Sequence, residues 1–159
     1  MENSLERQKI IEELAEYGID ENEVYLIDII PLIEMIWADN RAQPGEITLL
    51  EDFLKKHVVY INKLAGYELL TYKSAREFAL RFLDKRPDAE LIKLLRSYVE
   101  PLRLSSLNDE ETEKIKSSLL AACLDIAASS VKEYPYGIHD RFDSGEKKCF
   151  FEILKSLNG

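Results

Sequence analysis

The chain has 159 residues, of which 46% are apolar and 32% charged, with six Gly and five Pro. That is the size of one domain and enough apolar material to bury a core, which excludes a disordered chain. Thirty acidic against twenty-one basic residues leave a net charge of −9, which works against nucleic acid and anionic lipid and favours cations or basic partners.

Helical periodicity and capping signals recur along the chain, and no segment alternates with period two. The expected class is all-α, a compact bundle of about seven helices forming a single domain over residues 1–159. The first helix, Ser4 to Glu16, aligns Leu5, Ile10, Ile11 and Leu14 and stops before Gly18, a natural residue for the position after a helix. The second is expected from the Asp20–Glu23 capping box to Asp39. Its middle is apolar nearly all round, which makes it the central helix, and Pro31 should kink it. Pro44 and Glu46 open a third helix that runs to Leu64 and ends at Gly66. A fourth covers Lys73 to Lys85, capped by Ser74 with Glu77 or equally by Thr71. Pro87, followed by Asp88 and Glu90, opens a fifth that ends near Pro101. Asn108 and Glu111 cap a sixth reaching Val131, whose small-residue run AACLDIAASS lets a neighbour approach closely. Asp143 and Glu146 cap a seventh that lasts to Leu157.

Cys123 and Cys149 lie among apolar residues with no C-x-x-C pair, and read as buried thiols of a reducing cytoplasm. The N-terminus, MENSLERQKIIEELAEYG, lacks the apolar core of a secretory signal. The greasiest stretch, Val24 to Ala38, holds Asp28, Pro31 and Glu34 and falls short of the roughly 20 apolar residues a membrane span needs. A cytoplasmic protein without direct membrane insertion is the expectation.

One internal repeat is present. Laying Asn40–Lys55 over Asp140–Lys155 pairs Arg41/Arg141, Gly45/Gly145, Glu46/Glu146, Leu54/Leu154 and Lys55/Lys155 as identities. Those are five in sixteen ungapped pairs, where unrelated segments would share roughly one. Each copy follows an apolar helix, so the unit is helix, polar loop, helix, over about 24–64 and again over 111–157. The second copy carries an insertion, 131–140, with Tyr134, Pro135, Tyr136, Gly137 and His139. An apolar helix that cannot bury itself alone covers its face best against its twin, so the second and sixth helices should pack centrally. The loops 39–46 and 139–146 should then lie side by side about a pseudo-two-fold axis.

The segment IEMIWADNRAQPGEITLLEDFL resembles the TerB-like domains associated with tellurite resistance and related stress responses. That family's pattern is an apolar helix, an Ala-Asp-Gly loop start, a Glu seven residues after the Asp, and a Leu-rich helix. Ala38, Asp39 and Glu46 match it, with Asn40 in the Gly position, where Asn tolerates the left-handed backbone. The second loop departs further, with Ser129 in the Asp position and the acids shifted to Asp140, Asp143 and Glu146. The resemblance implies an acidic all-helical protein of a stress response, a divalent-cation binder, a protein partner in a membrane-associated complex, and no catalysis.

Asp39, Glu46, Asp140, Asp143 and Glu146 would converge if the two units pack face to face. Carboxylate ligation suits Ca²⁺ or Mg²⁺, and His139 nearby would admit Zn²⁺. The plainer reading is that Glu46 and Glu146 are N3 caps and Asp143 an N-cap. The EF-hand spacing is absent. Glu34 and Asp125 lie in apolar helices and need partners, for which Arg41 and Arg141 stand at suitable repeat positions. His57 reads as a surface or half-buried helix residue. With two histidines far apart, no nucleophile elbow, no H-E-x-x-H and no nucleotide-binding glycine loop, an enzyme has the least support. The favoured function is a non-catalytic TerB-like stress domain loading a divalent cation, and the alternative is a protein-interaction module using the acidic surface and the 131–140 insertion.

Overall fold

A computed structural model describes residues 2–38, 44–100, 109–131 and 144–157, with side chains described over 7–38, 44–100, 110–126 and 148–157. Among the described residues it is all-helical, with no strand. The helices are α1 (Glu2–Glu16), a 3₁₀ helix (Glu21–Ile29), α2 (Ile30–Trp37), α3 (Pro44–Ala65), α4 (Tyr72–Leu83), α5 (Ala89–Ser97), α6 (Asp109–Val131) and α7 (Ser144–Leu157).

Local chemistry sets most of these boundaries. Gly18 and Gly66 follow α1 and α3 with φ of 78° and 80°, the left-handed position that a Cβ would strain. The Asp20–Glu23 capping box forms, with the Asp20 N–H donating to Glu23 Oε1 at 3.0 Å. The helix it starts is not the single kinked rod that the sequence predicts. It runs as 3₁₀ to Ile29 and becomes α-helical at Ile30, so that Pro31 falls in the first turn of α2. The proline ring excludes an α-helical carbonyl four residues back, at Ile27, and in a first turn its missing N–H costs no hydrogen bond. Thr71 caps α4, its Oγ1 accepting from the Ser74 N–H at 3.1 Å. Asp88 caps α5, which stops at Ser97, short of Pro101. The predicted caps Asn108 and Asp143 lie outside the described residues.

The core is one continuous buried cluster with α2 at its centre. Ile30, Leu32, Ile33, Met35 and Ile36 are fully buried, as its all-round apolar sequence requires. Helix α6 lies across both α2 and α3, and α7 packs on α2 and α6. Exchanging α2 with α6 and α3 with α7 leaves this set of neighbours unchanged. One stripe matches in spacing, Ile29, Ile33 and Ile36 against Leu119, Cys123 and Ile126, whereas Met35 is buried where Asp125 is exposed. Loop residues 39–43 and 132–143, which would show whether the loops meet, lie outside the described residues.

Polar ties join the helices around this core. Trp37 Nε1 donates to the Phe82 carbonyl at 2.8 Å, linking α2 to α4. Asn62 clamps the turn after α3, accepting from the Leu69 and Leu70 N–H groups at 2.9 Å and donating to the Leu70 carbonyl at 2.8 Å. The Tyr60 hydroxyl donates to Glu111, joining α3 to α6. Among the described residues no helix is long and apolar enough to cross a membrane.

Candidate functional site

Of the six residues predicted as cation ligands, the structure describes the side chain of Glu46 alone. It stands in the first turn of α3 at 1% exposure, on the core-facing stripe with Leu50 and Leu54. The helix N-terminus favours its negative charge there. Asp39, His139, Asp140 and Asp143 lie outside the described residues, and Glu146 is in the first turn of α7 with its side chain outside them. Among the described residues no three His, Cys, Asp or Glu side chains gather as a metal cage. A cation on Glu46 would therefore take its other ligands from residues 39–43 and from the second loop. A desolvated carboxylate is the donor that Ca²⁺ or Mg²⁺ takes, so Glu46 fits that group.

The structure corrects the expectation for His57. It is 6% exposed, and its Nε2 lies 3.1 Å from Oδ2 of the fully buried Asp28 and 3.3 Å from the Tyr25 carbonyl. Phe53 stacks on the imidazole with centroids 5.3 Å apart. The signal was present in the sequence, because Leu50, Leu54, His57 and Ile61 repeat at helical spacing along one stripe of α3. The pair lies beside a cavity of about 760 Å³ between α3 and α6, lined by Phe53, His57, Tyr60, Lys114, Ile115 and Ser118. A histidine oriented by an aspartate is half of a nucleophilic triad. Among the described residues no hydroxyl or thiol is hydrogen-bonded to the imidazole, and the geometry makes the pair a tie between α3 and the 3₁₀ helix.

Glu34 and Asp125, the two carboxylates expected to need partners, differ in their surroundings. Asp125 is exposed on α6 and needs none. Glu34 on α2 pairs with Arg96 of α5, Oε2 to Nη1 at 3.0 Å, and the same nitrogen lies 3.6 Å from Glu152 of α7. Arg41 and Arg141 lie outside the described residues. The Glu34 and Arg96 side chains are 8% and 12% exposed, and burial pushes the Glu34 carboxyl up to about 7 against the pull of Arg96. Glu34 Oε1 and Arg96 Nε are buried with no hydrogen-bond partner among the described residues. A second cavity, of about 220 Å³, opens beside them. Cys123 is buried and Cys149 half-buried, neither in a disulfide, and burial raises the Cys123 thiol well above its usual range. Compared with protein-family models, curated proteins and solved structures, the chain matches none.

Proposed function

We propose that this chain is a non-catalytic stress-response domain of the TerB-like kind, which holds a divalent cation through the acids of its interhelical loops. The observation that carries the reading is the burial of Glu46 at 1% exposure. A buried carboxylate in the first turn of a helix is favoured as an anion, and an anionic carboxylate is the donor that a hard divalent cation takes. The loop resemblance puts Asp39 on the other side of the same turn, and the repeat supplies Asp140, Asp143 and Glu146 from the second unit.

The test is calorimetric titration of chelator-treated protein with Ca²⁺, Mg²⁺ and Zn²⁺, beside thermal melting of the parent and Glu46→Gln. One cation should raise the melting temperature of the parent, because a ligand bound only by the native state stabilises it by mass action. Glu46→Gln keeps an acceptor oxygen and loses the charge, so the apo variant should lose about 1 kcal/mol. Its cation affinity should fall by about tenfold or more. Equal melting shifts of parent and variant with every cation would make Glu46 a cap and move the reading to the interaction module.

A further inference from the structure

A cavity of about 220 Å³ lies between α2, α5 and α7. It has the room of roughly seven water molecules at about 30 Å³ each. Ile33, Trp37 and Ile92 give it apolar walls, and Glu34 and Glu152 line it from α2 and α7. The exposed Arg86, Lys93 and Lys148 complete the lining. Arg96 is paired to Glu34 and lies near Glu152, and Lys93 of α5 and Lys148 of α7 add two exposed cationic side chains to the lining, on a chain of net charge −9.

The second observation is at the floor. Glu34 is 8% exposed, and its Oε1 accepts no hydrogen bond from any described residue. Buried polar atoms in folded proteins are nearly always paired, so an orphaned acceptor lining a cavity marks a place for a ligand or water. We propose that this cavity binds a small hydroxy-dicarboxylate, its carboxylates on Lys93 and Lys148 and its hydroxyl on Glu34. Two ligand carboxylates match the two lysines, and a four-carbon chain suits the volume. A hydroxyl both donates and accepts, which serves a glutamate whose carboxyl burial pushes up to about 7.

The test is calorimetry on the full chain at pH 7, in low salt and without divalent cations, with L-malate, succinate and inorganic phosphate as probes. Malate should bind about tenfold more tightly than succinate, which differs only in lacking the hydroxyl. Lys93→Met with Lys148→Met, both exposed positions that leave the core intact, should weaken malate and succinate by about tenfold or more. Glu34→Gln should erase the preference for malate, and if that variant fails to fold, the malate–succinate comparison on the parent decides. No binding of malate at millimolar concentration, equal affinity for malate and succinate, or tighter binding of phosphate would each overturn the proposal. The omission of cations keeps this outcome separate from that of the loop acids.

Discussion

His57 occupies the repeat position that Leu157 fills in the second unit, and both are buried, at 6% and 1% exposure. The second unit has an apolar side chain at this position, and the imidazole in the first adds a contact with Asp28. Replacing His57 takes that contact away from a carboxylate at 0% exposure, so His57→Leu should cost about 3 kcal/mol by urea denaturation. Adding Asp28→Leu should recover part of that loss, since neither polar group then remains buried. Glu34 supplies a pH dependence. Its carboxyl binds its proton more tightly when folded, at about 7, than its ordinary value of 4.5. Between those two values the unfolded chain releases the proton first, so stability falls as pH rises from about 4.5 to 7 and levels off above. Scaled by the shift, the loss amounts to about 3 kcal/mol at most. Glu34→Gln should flatten this part of the profile, and parallel melting-temperature profiles of parent and variant from pH 5 to 8 would contradict it. The sequence marked Glu34 as a carboxylate in need of a partner and offered Arg41 and Arg141, which lie outside the described residues; the partner among the described residues is Arg96. Arg96 becomes the partner only through the meeting of α2 and α5, which no local window contains.

Among elements, the legible boundaries are those written in backbone chemistry. Gly18, Gly66, Pro44, Thr71 and Asp88 each act through their own dihedrals or a neighbour within three residues, and the helices start or stop beside them. Thr71→Ala should cost about 1 kcal/mol by losing the acceptor for the Ser74 N–H, with fraying of α4 visible as faster amide exchange there. The stretch from Asp20 to Trp37 was harder to read, since its apolar residues fit an unbroken helix and Pro31 fits a kink equally well. The change from 3₁₀ to α-helix at Ile30 settles that choice by giving the proline a first-turn position. Asn62 carried no signal at all. Its three hydrogen bonds go to residues seven and eight places on, beyond any local capping pattern.

Across the whole molecule the repeat was the strongest guide, because an offset in the sequence becomes a pairing of helices in space. It named α2 and α6 as mutual neighbours, and they pack together at the core. The converging acids it suggested depend on loop residues outside the described set, leaving Glu46 as the described half of that expectation. A chain ended at residue 100 would lose α6 and α7 and uncover the faces of α2 and α3 that they bury. It should keep helical circular dichroism, bind a hydrophobic dye and melt without a sharp transition; a sharp, cooperative melt would show that the first unit folds without its twin. Trp37 is the chain's one tryptophan, and its indole is tied to the Phe82 carbonyl while its ring forms a wall of the smaller cavity. All tryptophan fluorescence from this protein therefore comes from the junction of α2 and α4. Its wavelength reports whether that junction is closed and its intensity whether the cavity beside it is filled, so the protein carries its own optical gauge and needs no label.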